Sequence, residues 1–142
     1  MTVAVDTNLL CYALDPAYSE HKNAVSLLVD LSPEKMIAIN PTVFHETYHV
    51  LVFYSEWLPA EATKRLSLIL KNPYVKFFSQ TKKTASIALG LAAKYGVGGR
   101  DSLILACNIA NQITTFLTHD KNLLELKKVY WKNRQISLQD PL

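Results

Sequence analysis

The strongest constraint on the fold is the alternation of short β-rich runs with longer helical stretches. "TVAV" (Thr2–Val5), "MIAI" (Met36–Ile39), "VKFF" (Val75–Phe78), "TFLT" (Thr115–Thr118) and "RQISL" (Arg134–Leu138) read as strands. Ala24–Leu31 belongs to a helix. Asn40-Pro41 supplies an N-cap and a proline at the first helical position for a helix reaching about Tyr54. Pro59 opens another, to about Lys71. Thr81–Tyr95 has helical periodicity and stops at the glycine-rich "GVGG" (Gly96–Gly99), and Arg100–Gln112 is the next helix. Strands separated by helices need crossover connections, so the sheet is expected to be mainly parallel and covered on both faces. The expectation is one α/β domain over residues 1–142, with ligands at the carboxyl ends of the strands.

Composition narrows the class. Hydrophobic residues are 49% and charged residues 19% of the chain, the balance of a packed domain rather than a disordered one. Met1 is followed by a short apolar run and then Asp6, which is no signal peptide. The most apolar stretch, Leu103–Leu117, is interrupted by Asn108, Asn111 and Gln112, so no membrane span is expected. Cys11 and Cys107 form no C-x-x-C and read as two buried thiols of a reducing, cytoplasmic setting. Residues 1–70 carry four Lys/Arg against eight Asp/Glu, and residues 71–142 carry eleven against four. A basic second half suits a polyanionic partner, although a solvated helix surface gives the same count.

Four acids fall where the sheet would collect them. Asp6 ends the first strand, and Asp120 follows the fourth. Asp101 opens the helix after "GVGGR", and Glu46 lies in the second turn of the helix after the second strand. At about 100° per residue, Val43, Thr47, Val50 and Tyr54 share the expected core face, with Glu46 beside it. Asp101 shares a face with Ile104, Leu105 and Asn108. Taken singly, each acid reads better as a turn, cap or solvated residue; four at the right positions weaken that reading. Gathered on one rim they repel one another unless a cation joins them, and an all-oxygen donor set suits Mg²⁺ or Mn²⁺. Such ions support in-line phosphoryl displacement.

Glu46 also sits inside His45-Glu46-Thr47-Tyr48-His49, an H-E-x-x-H pattern of zinc proteases. The wheel turns His45 and His49 roughly 140° from the core stripe, away from Glu46. They are expected to face solvent or a partner subunit, and neither His21 nor His119 lies in a third-ligand pattern. A zinc protease is therefore disfavoured.

"VAVDTNLL", "NPTVFHETYHVL", "GGRDSLILACNIA" and "TTFLTHDKNL", in this order, cover nearly the whole chain and resemble the PIN domain family, within it the small VapC-like toxin ribonucleases. The resemblance implies a three-layer α/β/α sandwich around a five-stranded parallel sheet. It implies metal-dependent hydrolysis of RNA phosphodiesters with Mg²⁺ or Mn²⁺ as cofactor, homodimers, and a cognate antitoxin. Carried onto this chain, Asp6, Glu46, Asp101 and Asp120 are the catalytic and metal-binding acids, and Asn8 and Thr118 orient them. "GVGGRD" departs from the family pattern. Arg100 either binds a phosphate or pairs with a neighbouring acid, and Lys121, Lys127 and Lys128 are further candidates for the RNA backbone.

A nuclease outside a toxin–antitoxin pair fits the same residues. A receiver domain lacks its extra acidic pair, and an aspartate-nucleophile phosphatase lacks D-x-D, since the run is Asp6-Thr7-Asn8. A silent binding module would not need the full acid set. "VLVFYSEWLP" (Val50–Pro59), apolar nearly all round, is either a dimer contact or core. Tyr130 and Trp131, among Lys127, Lys128, Lys132 and Arg134, either stack bases or pack on the last strand.

Overall fold

A computed structural model describes residues 1–142. In chain order the elements are β1 (Thr2–Val5), α1 (Thr7–Leu14), α2 (His21–Ala24), α3 (Ser26–Val29), β2 (Met36–Ile39), α4 (Pro41–Phe53), α5 (Pro59–Lys71) and β3 (Val75–Phe77). There follow α6 (Lys82–Tyr95), α7 (Gly99–Ala110), β4 (Thr115–Leu117), α8 (Lys121–Leu124), β5 (Lys128–Trp131) and β6 (Arg134–Gln139). The strands form one sheet in the order β3-β2-β1-β4-β6-β5. The first five in that order run parallel, and β5 pairs antiparallel with β6. Consecutive residues Ala4 and Val5, and Ile37, Ala38 and Ile39, are all buried. Side chains alternate across a strand, so the sheet is covered on both faces, the α/β/α sandwich expected.

The five expected strands are the five parallel ones. The sheet has a sixth, β5, and the five-stranded expectation is corrected by it. Its hairpin to β6 turns through Lys132-Asn133, with Lys132 at φ 55°. Glycine or asparagine usually marks that conformation, and lysine gives no such signal. Ala24–Leu31 is not one helix either: α2 and α3 are two short turns either side of Val25.

Local chemistry starts and stops the helices as the sequence implies. Asn40 Oδ1 accepts from Val43 N at 3.0 Å at the head of α4. Thr81 and Thr84 form a reciprocal capping box on α6, and Gly96, at φ 68°, closes that helix in the left-handed conformation. Thirty buried apolar side chains form one core, with Phe116, Leu9, Leu10, Leu51, Leu91 and Ile104 among those fully enclosed. At about 25 cal/mol per Å² of apolar surface, this burial is the main force holding the sandwich. Trp131 caps the core's edge by lying against Gly90, where a Cβ would come within 2.6 Å of its ring. Both cysteines are free and buried, and burial pushes the Cys11 thiol up to about 12 and Cys107 to about 11. Neither is a nucleophile at neutral pH. No helix is long and apolar enough to cross a membrane.

β1 positions the site. The chain leaves it toward β2 and β3 on one side, and later returns to place β4 on the other. The β1/β4 boundary is thus where the strand order reverses, the place where open α/β sheets bind ligands.

Candidate active site

At the carboxyl ends of β1 and β4 lies a cleft of about 430 Å³, lined by Asp6, Asn8, Glu46, Arg100, Asp101 and Asp120, among others. Each acid arrives from a different segment. Asp6 ends β1 and caps α1, accepting from Thr7 N at 2.8 Å. Asp120 caps α8, its Oδ1 accepting from Asn122 N at 2.8 Å and Leu123 N at 3.1 Å. Asp101 is the third residue of α7. All three sit at helix amino termini, where unpaired N–H groups and the macrodipole favour an anion. Glu46 projects from α4 and forms an ion pair with Arg100.

Thr118 does not line the cleft. It is fully buried behind it, donating its hydroxyl to Asp6 Oδ2 at 2.7 Å and accepting from Asp120 N at 3.1 Å. One hydroxyl therefore ties together the two strand-end acids. Asn8 Oδ1 accepts from Leu9 N at 2.8 Å, which leaves its amide NH₂ as the uncommitted end. Lys121 follows Asp120 directly but is not in the cleft wall, and neither are Lys127 and Lys128. Arg134 is structural: its Nη1 donates to Ile109 O at 3.1 Å and Ala110 O at 3.2 Å, closing the end of α7.

The electrostatics are those of buried acids, with repulsion between neighbouring acids a smaller contribution. Burial raises the pKa of Asp6 above its ordinary value, and nearby Asp101 raises it further, against the lowering effects of Thr118, Thr7 and Arg100. Burial also raises Asp101, with Arg100 lowering and Asp120 raising it. Such shifts mark anionic charge that the surroundings only partly compensate. As they stand, no three His, Cys, Asp or Glu side chains lie close enough together to hold one metal ion. The donor set still fits a hard cation. It is all oxygen, it converges on one cleft, and its own repulsion is what a divalent ion would relieve.

One expectation about α4 changes. Its core face is Val43, Phe44, Thr47 and Leu51, whereas Tyr54 is 75% exposed. Val50 and Tyr54 line the cleft instead, on a stripe with Glu46 and His49. His45 points away, against Phe44. His49 is exposed, as the wheel expects, yet it also stands at the cleft wall, one turn from Glu46. Tyr12 and Tyr18 also line the cleft, their rings 5.0 Å apart edge to face. The i, i+4 spacing of Asn8 and Tyr12 was the available signal for the first of these. Tyr18 arrives from a loop, for which spacing says nothing.

A family model for the PIN domain matches residues 3–129. The fold is similar to that of VapC20 from Mycobacterium tuberculosis, a sarcin-ricin loop cleaving toxin, with TM-score 0.70 and 16% identity over 84% of this chain and 90% of that one. It is also similar to a toxin–antitoxin complex from Klebsiella pneumoniae, with TM-score 0.67 and 16% identity over 99% and 98%. A third similar structure is VapBC2 from Rickettsia felis bound to a promoter DNA fragment, with TM-score 0.63 and 18% identity over 99% and 98%. A local match, 38% identical over 58 residues, covers 41% of this chain and 19% of NAD kinase 1 from Listeria monocytogenes serotype 4b (strain F2365). The chain thus spans under a fifth of that kinase. The family model runs from β1 and the Asp6 that follows it, through β4 and Asp120, into β5, and on that match the chain belongs to the PIN domain family.

Proposed function

We propose that this chain is a metal-dependent endoribonuclease and the toxin of a type II toxin–antitoxin pair. The observation that carries this is the convergence of Asp6, Glu46, Asp101 and Asp120, from four separate segments, on one cleft at the sheet's switch point. Asp6, Asp101 and Asp120 would hold Mg²⁺ or Mn²⁺, with Glu46 joining directly or through water. Bound there, the ion supplies a more acidic water and offsets the charge of an in-line displacement at phosphorus. Thr118 fixes Asp6 against Asp120, so that two acids keep one relative position. Water adds to phosphorus as a P–O ester bond breaks, and the leaving oxygen takes a proton. Arg100 offers charge to a phosphate in the cleft, and Lys121, outside the cleft wall, to the RNA backbone beyond it. Tyr12, Tyr18 and Tyr54 give the cleft an aromatic wall, a surface on which unpaired bases stack.

The partner reading rests on the similarity to toxin–antitoxin complexes and on exposed Phe53, Tyr54 and Leu58, of which Tyr54 also lines the cleft. These side chains suit an antitoxin or a second copy in a homodimer. The test is Mn²⁺-dependent cleavage of a mixed single-stranded RNA pool with end mapping. Asp6→Asn is expected to abolish cleavage while its circular dichroism matches wild type, and full activity in that variant would overturn the proposal. Growth arrest on expression, lost with Asp6→Asn and relieved by a small protein encoded alongside, tests the toxin role.

A further inference from the structure

Arg100 is the only basic side chain other than histidine that lines the acidic cleft. It is the second residue of α7, yet it reaches across to Glu46 on α4, and its Nη2 also lies 3.4 Å from Asp101 Oδ1. The guanidinium thus bridges two of the four acids, from helices on two sides of the cleft. Glu46 and Asp101 are both paired to a cation of the chain's own.

The side chain is held in a way that lets it leave. More than half of it is exposed, at 54%, and its polar partners are the two carboxylates. Water can replace those partners at small cost, because exposed ion pairs contribute little. Glu46 and Asp101 are less exposed, at 21% and 25%, and would be left short of charge compensation. A divalent ion meets that need better than a single guanidinium does.

We infer that Arg100 is the resident counter-ion of the cleft, and that metal loading is an exchange in which Arg100 releases Glu46 and Asp101 to the incoming ion. This rests on the metal-site reading above. It makes Arg100 a positioning residue that sets the metal concentration at which the site fills. Arg100 holds the acids together in the metal-free protein and competes with the ion for them.

The test is Mn²⁺ binding to the metal-free full chain, by titration calorimetry and by loss of the free Mn²⁺ electron paramagnetic resonance signal. Arg100→Gln removes the competing charge near a doubly charged ion and is expected to tighten Mn²⁺ binding at least about tenfold. Arg100→Lys keeps the charge without the two-pronged fork and should stay within about threefold of wild type. Circular dichroism and the metal-free melting temperature check that each variant is folded. If Arg100→Gln is folded and binds Mn²⁺ no tighter than wild type, Arg100 is only a tie between α4 and α7 and the exchange is refuted. If neither wild type nor Arg100→Gln binds Mn²⁺, the metal-site reading itself fails. Binding without RNA cleavage would count against the proposed activity while leaving the exchange standing.

Discussion

Thr118→Val is the sharpest single perturbation of the site, because it deletes one hydroxyl and keeps the volume. Thr118 is fully buried and serves two partners, Asp6 Oδ2 at 2.7 Å and Asp120 N at 3.1 Å. Losing a hydrogen bond to a charged group costs about 1.5–3 kcal/mol, and an unsatisfied backbone N–H adds about 1 kcal/mol. Where Asp6 is ionised the expected loss is therefore about 2.5–4 kcal/mol, or roughly 8–12 °C of melting temperature for a chain of this size. The loss should depend on pH in a defined sense. The Thr118 hydroxyl lowers the Asp6 pKa, so valine raises it further. The penalty is then largest where Asp6 is ionised in both proteins and falls as the pH drops through its raised values. Once Asp6 is protonated in both, only neutral hydrogen bonds are lost, about 1–2 kcal/mol. Urea unfolding of the metal-free proteins across the pH range in which they stay folded measures this, with Thr118→Ser as the control that keeps the hydroxyl. A loss below about 0.5 kcal/mol throughout the pH range, or one that does not change with pH, would refute the role given to Thr118.

Three other outcomes are expected. Asp6 and Asp101 both have raised pKa values, so the folded state binds protons more readily than the unfolded chain. Their contribution to stability grows as the pH falls through those raised values and is complete below the ordinary carboxylate value of 3.8. The difference in pH dependence between wild type and Asp6→Asn/Asp101→Asn should show that sign in denaturant melts. Saturating Mn²⁺ should raise the wild-type melting temperature, by about 2.7 kcal/mol of stability at a hundredfold excess over Kd, and chelation should reverse it. Asp6→Asn should lose most of that response in the same thermal scan. Gly90→Ala should destabilise by about 1–2 kcal/mol, because the new methyl meets the Trp131 ring at 2.6 Å and overpacking outweighs the helix gain of about 1 kcal/mol. In a Trp131→Ala background the same change should instead stabilise, which a double-mutant cycle reads directly.

The sequence by itself determined the alternation of strands and helices, the parallel core of the sheet, and the carboxyl-end rim on which the acids lie. It could do so because periodicity, N-caps and prolines are local signals, and Asp6, Asp101 and Asp120 each sit at a helix start that local chemistry defines. It did not reveal β5, whose turn lysine carries no turn signal. It also misjudged the rotation of α4. A wheel shows which residues share a face, but only the neighbours packed against α4 decide which face is core. Those neighbours bury Val43, Phe44, Thr47 and Leu51 and leave Glu46, His49, Val50 and Tyr54 to the cleft. The resemblance already had Thr118 orienting the acids, and the sequence left Arg100 to a phosphate or a neighbouring acid; that the contacts are Thr118 to Asp6 and Asp120, and Arg100 to Glu46, was decided by the tertiary structure. Both join residues distant in the chain, 112 positions apart for Thr118 and Asp6. Such contacts depend on how β1 and β4, or α4 and α7, are set side by side, and no spacing within a single element encodes that.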